Sequence, residues 1–126
     1  MSELYDIIII GGGPAGLAAG IYGGRAKLKT VILEKGSVGG MACTTREMVN
    51  YPGFKNTTGP DLTAAMADHA REFGAEITRD EVVEIELNGD IKTIKTKKDR
   101  ELRTQTIIVA VGSQPRRLNI PGEKEM

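Results

Sequence analysis

The sequence predicts an α/β fold in three layers, a parallel sheet plus a three-stranded antiparallel meander, in one domain spanning residues 1–126. Three observations predict this fold. A β-branched run near the N-terminus leads through glycines into a segment rich in small residues, and a second β-branched run follows. Later in the chain, short stretches alternate apolar and charged residues between turn signals, which is typical of antiparallel strands.

Composition limits the class of protein. The 126 residues carry 17 basic and 17 acidic side chains, so no net charge attracts nucleic acid or an anionic membrane. Residues 7–24 are uncharged, but glycines and Pro14 would leave their backbone unsatisfied in lipid. The acidic N-terminus is unlike a secretory signal. A single cysteine, Cys43, excludes an internal disulfide and fits a reducing compartment, so we expect a cytoplasmic protein.

The first part of the chain predicts two strands joined by a helix. Leu4 to Ile10 is a β-branched run of the kind buried on both faces of a parallel sheet. A helix over about Pro14 to Lys27 follows, because proline suits a first helical turn. Its many small residues predict close approach to the strands and to a ligand. Lys29 to Leu33 is the second strand, and Glu34 ends it.

A long irregular segment, residues 35–58, separates this unit from a second helix, and loops of that length are usually functional. Gly59 begins the second helix, Gly74 ends it, and a strand follows over about Ala75 to Arg79. The helix is predicted to bury one stripe at three- and four-residue steps. Its members are Leu62, Ala65, Met66, His69, Ala70 and Phe73.

The remaining strands are short. Residues 82–87, 91–96 and 100–103 alternate between turn residues and predict the antiparallel meander. Residues 106–111 predict a further buried strand, which ends in a second glycine turn at Gly112.

Gly11, Gly13 and Gly16 form G-x-G-x-x-G between the first strand and the helix, as in Rossmann-like dinucleotide sites. The first glycine permits a tight turn, the second leaves room for a pyrophosphate, and the third lets helix and strand pack closely. The helix N-terminus favours the diphosphate charge. Glu34, 18 residues after Gly16, is placed to accept hydrogen bonds from ribose hydroxyls, which disfavours NADP. NAD and FAD both stay open, because the motif contacts only their shared ADP half.

Residues 39–54, from Gly39 to Phe54, and residues 106–117, from Thr106 to Arg117, resemble two segments of the low-molecular-weight thioredoxin reductases, members of the pyridine-nucleotide disulfide oxidoreductases. Residues 39–54, GGMACTTREMVNYPGF, resemble that family's flavin-contacting loop, whose pattern is G-G-Q, a run of threonines, then E-x-x-N-W/Y-P-G. Residues 106–117, TIIVAVGSQPRR, resemble its second motif, a strand ending in A-T-G. The meander between them is also typical of the family's FAD domain. This resemblance favours FAD over NAD.

The resemblance also implies which residues bind the cofactor. The glycine turn would hold the pyrophosphate, Glu34 the adenosine ribose, and the Val82 backbone the adenine. Met41 would lie near the flavin and Asn50 near the ribityl-phosphate region, while the second turn covers the other side. No metal ligand and no catalytic residue are expected in this chain. The cofactor-binding set is Gly11, Gly13, Pro14, Ala15, Gly16, Glu34, Lys35, Gly40, Met41, Asn50, Val82, Ala110, Val111 and Gly112.

Two departures from the family pattern matter for the flavin. Met41 replaces a glutamine and Val111 replaces a threonine, so two hydrogen-bonding groups beside the flavin are lost. Cys43 stands where the pattern has a threonine, and no second cysteine accompanies it. We expect Cys43 to be a small packed side chain and His69 a packed or surface residue.

The family's reaction, as the resemblance implies it, runs from a nicotinamide cofactor through FAD and a C-x-x-C disulfide to thioredoxin. The chain has no C-x-x-C and no NADPH domain, so we expect the N-terminal portion of a FAD domain, inactive alone. Its parent enzyme would act on thioredoxin or a similar disulfide protein, take electrons from NADPH or ferredoxin, and form a homodimer. The alternatives are a stand-alone nucleotide-binding module without catalysis and an NAD-dependent dehydrogenase domain.

Overall fold

The computed structural model describes residues 3–112, except for the side chain of Cys43. The last part of the second predicted motif, from residue 113 through Arg116 and Arg117, lies outside the described residues. The elements in chain order are β1 (Glu3–Ile10), α1 (Pro14–Arg25), β2 (Thr30–Glu34), a short 3-10 helix (Gly40–Thr44), α2 (Gly59–Glu72), β3 (Glu76–Arg79), β4 (Val82–Glu86), β5 (Lys92–Thr96) and β6 (Glu101–Val109).

The strands form a six-stranded mixed sheet in the order β3-β2-β1-β6-β5-β4. Strand β1 pairs in parallel with β2 and β6, and β3 extends the parallel part beyond β2. Strands β4, β5 and β6 pair in antiparallel fashion. The central position of β1 explains its uninterrupted isoleucines, because Ile8 and Ile9 are both 0% exposed. The α/β class with a parallel sheet and a meander is confirmed.

Two apolar clusters give the fold its layers. On one face of the parallel strands, α1 and α2 cover Ile9 and Ile32 with side chains that include Leu17, Leu62 and Met66. On the other face, Ile94 and Leu102 of the meander pack against side chains of β1 and β2, namely Tyr5, Ile8, Val31 and Leu33. The meander therefore forms the third layer while staying hydrogen-bonded to the same sheet.

Strand β6 corrects one prediction. Residues 100–103 and 106–111 were predicted as separate strands, but one strand, Glu101–Val109, serves both parts of the sheet. Its first part, residues 101–104, pairs with β5, and residues 102–109 pair with β1. The buried Thr104 hydroxyl lies 3.0 Å from the Asp6 carbonyl oxygen and accepts the Thr106 amide at 3.1 Å. These bonds keep the junction extended, so no turn is needed there.

Helix α1 lies unusually close to its neighbours, as its small residues predict. A Cβ atom on Gly20 would lie 2.5 Å from Ile32 Cδ1, and one on Gly23 would lie 2.7 Å from Thr30 Oγ1. Glycine costs helix stability, but here it allows α1 to pack directly on β2. The helix ends at Arg25, two residues before the predicted end, since Lys27 adopts a left-handed φ of 62°.

The buried stripe of α2 differs from the prediction. Leu62, Met66 and Ala70 are buried as predicted, but Ala65, His69 and Phe73 are exposed. Their places in the buried face are taken by Gly59, Thr63 and Ala67. The small residues face inward because α2 lies against both α1 and the 3-10 helix, where a Cβ on Gly59 would clash with the Ala42 carbonyl. Within residues 3–112, no helix has the length and apolar character to span a bilayer.

Candidate functional site

The glycine turn lies where β1 ends and α1 begins. Gly11 adopts a φ of 111°, and a Cβ there would clash with the Ala110 carbonyl of the neighbouring chain segment. A Cβ on Gly16 would clash with the Gly11 carbonyl. Both glycines are therefore required by the protein's own packing, as the turn motif predicts.

Gly13 is different, because its surroundings are open. It precedes α1 in an extended conformation, and no side chain caps the helix there. A Cβ on Gly13 would meet nothing closer than 3.8 Å. The uncapped N-terminus and this open space together leave room for an anionic group to approach the first turn of α1.

Glu34 ties the glycine turn to the loop after β2. Its Oε1 accepts the Gly12 amide at 2.8 Å, and its Oε2 accepts the Gly36 amide at 2.7 Å. A carboxylate can accept about four hydrogen bonds, so both oxygens can still accept a ligand hydroxyl. The two amides fix the orientation of the half-buried carboxylate at the edge of the sheet.

The loop after β2 is held against the glycine turn by its backbone. The Gly39 amide donates to the Gly12 carbonyl at 2.7 Å. Gly40 adopts a φ of 62°, and a Cβ there would lie 3.1 Å from Gly13 Cα. This contact places the 3-10 helix beside the N-terminus of α1. Met41, 57% exposed, projects from that helix beside the turn.

Two adjoining cavities open at the carboxyl ends of the parallel strands. The smaller, about 220 Å³, lies between the ends of β1 and β2 and the start of β4, and Glu81 is part of its wall. The larger, about 560 Å³, extends from the N-terminus of α1 past the 3-10 helix to the segment after β6. Glu34, Lys35 and Val111 line both cavities. Crevices at this edge of parallel sheets are the usual ligand sites of such folds.

The structure brings most of the predicted set together. Gly11 and Val82 line the smaller cavity, together with the three shared residues. The larger cavity is also lined by Gly13, Pro14, Ala15, Gly40, Met41, Ala110 and Gly112. Gly16 lies beneath the turn and lines neither cavity. Asn50 is exposed and lines neither cavity, whereas its neighbour Tyr51 packs against the helix-side core.

Asp80 is a cavity residue that sequence reasoning missed. It is 4% exposed and lines the smaller cavity. Its amide donates to the Glu34 carbonyl at 3.0 Å, and its Oδ1 accepts the amides of Glu81 at 2.9 Å and Lys98 at 3.2 Å. Its position directly after β3, at the carboxyl end of a parallel strand, is the signal that could have identified it.

The ionisation of Asp80 reflects these contacts. Burial opposes its charge, but the Thr96 hydroxyl, the amides of Glu81 and Lys98, and the Lys98 charge outweigh burial and lower the pKa of Asp80. Its Oδ2 has no hydrogen bond of normal geometry within the described residues. Asp80 is therefore a buried anion held mainly through one oxygen.

Comparisons with known proteins agree with this geometry. The family described as pyridine nucleotide-disulphide oxidoreductase matches residues 5–126. The thioredoxin reductase of Peptoclostridium acidaminophilum is 47% identical over 127 residues, covering 100% of this chain and 40% of the relative. That of Bacillus subtilis is 40% identical over 128 residues with the same coverage. The chain thus spans about 40% of the length of these curated relatives.

Solved structures give the same result. The thioredoxin reductase of Lactococcus lactis superposes with a TM-score of 0.89 at 45% identity, covering 96% of this chain and 40% of that one. A ferredoxin-flavin thioredoxin reductase from Clostridium acetobutylicum has a TM-score of 0.81 at 27% identity, covering 99% of this chain and 43% of that one.

Proposed function

Since the chain belongs to the pyridine nucleotide-disulphide oxidoreductase family, we propose that it is the FAD-binding part of a thioredoxin-reductase-like flavoenzyme. This is the family that the motifs in residues 39–54 and 106–117 predicted. The chain spans about 40% of its curated relatives, so the reaction and partners of a whole enzyme enter as part of this proposal. We propose thioredoxin or a similar disulfide protein as acceptor, as the names of the relatives suggest.

One observation carries the proposal: two cavities of unequal size adjoin at Glu34, Lys35 and Val111, and the larger one opens at the uncapped N-terminus of α1. The smaller would take adenine and ribose, and α1 would face the diphosphate. The larger cavity, about 560 Å³, would take the ribityl chain and the flavin. The open space at Gly13 fits a pyrophosphate that needs close approach to the backbone.

Each residue has a distinct part in holding the cofactor. Glu34, oriented by two backbone amides, would accept hydrogen bonds from the ribose hydroxyls. Amides in the first turn of α1 would face the diphosphate, where the helix dipole favours negative charge. Met41 and the segment Ala110 to Gly112 line the larger cavity and would exclude water from one side of the flavin. Their contacts would be apolar or made through the backbone, as expected after the loss of the glutamine and threonine.

Bound FAD supplies two-electron transfer between an electron donor and a disulfide. The donor is NADPH or ferredoxin, and one structural neighbour is named a ferredoxin-flavin thioredoxin reductase. In this proposal the described residues bind and orient the cofactor and perform no proton transfer of their own.

The proposal is tested by titrating the purified chain with FAD and, separately, with NAD. We expect FAD to bind more tightly, because the larger cavity fits a group beyond the ADP half. Glu34→Gln should weaken FAD binding, and Glu72→Gln, an exposed carboxylate at the end of α2 and outside both cavities, should not. Tighter binding of NAD than of FAD would contradict the flavin assignment.

A further inference from the structure

We propose that the chain carries a second site, for the phosphate group of a small molecule, beside the adenosine end of the cofactor cavity. The site is a cleft of about 250 Å³ that we call the basic cleft. It lies between the end of β2, the β3–β4 junction and the β5–β6 turn. The residues that line it are Lys35, Arg79, Asp80, Glu81, Lys97 and Lys98.

Cations outnumber carboxylates in this cleft, four to two. Elsewhere, Arg71, Lys95 and Arg100 form ion pairs with acidic neighbours. None of the four cleft cations forms an ion pair within residues 3–112. Only Lys98 acts electrostatically on Asp80, from beyond ion-pairing distance. The cleft therefore carries an excess of two positive charges, which favours an anionic ligand.

The cleft is held in shape by hydrogen bonds between two turns. Asp80, buried behind it, binds the Glu81 and Lys98 amides through Oδ1. The Lys97 amide donates to the Glu81 carbonyl at 2.8 Å. Lys98 Nζ donates to the Arg79 carbonyl at 2.6 Å, which fixes its ammonium group at the wall. An anion would thus meet turns whose backbone is already fixed and the Lys98 ammonium group already held in place, so less side-chain entropy of Lys98 would be lost on binding.

The chemistry of these side chains favours a phosphate. An arginine guanidinium can donate two parallel hydrogen bonds to phosphate oxygens, and lysine ammonium groups add compact charge. The basic cleft shares Lys35, Asp80 and Glu81 with the smaller cavity, so the two sites adjoin. The phosphate could be free inorganic phosphate or a ribose phosphate on an adenine nucleotide. FAD carries no ribose phosphate, so this site goes beyond the proposed cofactor site.

The test measures phosphate binding to the full chain by calorimetry, with inorganic phosphate as probe and ionic strength held constant with chloride. We expect saturable binding that weakens about tenfold or more in Arg79→Ala/Lys97→Ala. The matched control is Arg46→Ala/Lys55→Ala, which removes the same charge from exposed positions outside every described cavity and should bind phosphate normally. No saturable binding, or equal weakening in both double variants, would overturn the site.

The source of the phosphate is separated by comparing AMP with adenosine 3′,5′-bisphosphate. Tighter binding of the bisphosphate, lost in Arg79→Ala/Lys97→Ala, assigns a ribose phosphate, whereas equal binding assigns free phosphate. FAD is titrated against the same variant, because Arg79 and Lys97 line neither cofactor cavity. Normal FAD binding with lost phosphate binding distinguishes the two sites. Failure of FAD binding in the unaltered chain would count against the cofactor proposal alone.

Discussion

Single glycines in the turn serve two separate purposes, packing and ligand access. Gly11 and Gly16 are required by the free protein, since a side chain at either would clash with backbone carbonyl groups. Gly13 has open space and an extended backbone that alanine also adopts. The same short motif thus contains positions that support the fold and one that leaves the site accessible.

This difference predicts opposite effects for two small substitutions. Gly16→Ala should lower the free energy of unfolding by about 1–3 kcal/mol, because its Cβ meets backbone that cannot move aside. Gly13→Ala should change stability little and weaken FAD binding, since the methyl group would occupy the space that the proposed pyrophosphate site needs. Urea unfolding and FAD titration of both variants check this. Equal losses of stability in the two variants would contradict it.

Asp80 offers a prediction about a buried charge. Asp80→Ala leaves the Glu81 and Lys98 amides without their acceptor and should cost about 1.5–3 kcal/mol of stability. Asp80→Asn keeps an acceptor oxygen and puts an amino group in place of the unpartnered Oδ2, so its cost should be smaller. Urea unfolding measures both, with the exposed Asp90→Ala as control. Equal losses in Asp80→Asn and Asp80→Ala would contradict this and show that the charge, not the acceptor oxygen, is what matters.

Among the elements, α2 begins with a side-chain cap. The Thr58 hydroxyl accepts the Asp61 amide at 3.1 Å, and Pro60 lies in the first turn. Thr58→Ala should lower stability by about 1 kcal/mol, because one helix amide loses its acceptor. Thr58→Ser keeps the hydroxyl and is the control. Thermal unfolding checks the pair, and an equal shift for both variants would indicate lost methyl packing instead.

Elements defined by local pattern were predictable, and those set by distant partners were not. The unit from β1 to β2 could be predicted because its glycines and its proline mark the start of the helix and Glu34 marks the end of the second strand, all within a short stretch. The continuity of β6 depends on pairing with β1, nearly the whole chain away, and sequence alone placed a break there. The buried face of α2 depends on its contact with α1 and the 3-10 helix, which moved the stripe toward Thr63 and Ala67.

In the candidate site, too, residues that depend on distant partners could not be predicted from the sequence. The turn, Glu34 and the loop residues could be predicted because their motifs are continuous in sequence. Asp80 reaches the cavity only because β3 lies beside β2 in the sheet, and its turn is bound to a turn near residue 98. Asn50 matches a sequence pattern, but the described chain places it outside both cavities.

At the starts of β1 and β3, one polar cluster joins strands that are far apart in sequence. Arg100 donates to Glu3 at 2.9 Å, to Glu76 at 3.0 Å and to the Tyr5 hydroxyl at 3.0 Å. The Tyr5 hydroxyl donates to Glu76 at 2.7 Å. The cluster therefore connects the starts of β1 and β3 with the residue that precedes β6.

The cluster and Asp80 together predict how stability depends on pH. The pKa of Glu76 is lowered from its usual 4.5. Burial acts to raise this pKa, but hydrogen bonds from Tyr5, Thr78 and Arg100, together with the Arg100 charge, outweigh burial. The pKa of Asp80 is also lowered, from 3.8. Both carboxyl groups bind protons more readily in the unfolded chain than in the folded one. Their contribution to the stability of the fold is therefore full above about pH 5 and is lost as the pH falls through their folded-state pKa values.

At alkaline pH, the folded protein is expected to lose stability as the pH rises, through Tyr5. The pKa of Tyr5 is raised from 10.0 to about 12 by burial, by the hydrogen bond to Glu76 and by the Glu76 charge. The hydrogen bond and charge of Arg100 act to lower this pKa but are outweighed. The folded state then holds the proton more tightly, so stability should fall as pH rises from 10.0 to about 12. Urea unfolding midpoints across this pH range measure the loss of stability. Tyr5→Phe has no proton to lose there, so its midpoint should depend less steeply on pH. Tyr22→Phe, at a position 72% exposed, is the control, and an unchanged alkaline slope in Tyr5→Phe would assign the loss to other groups.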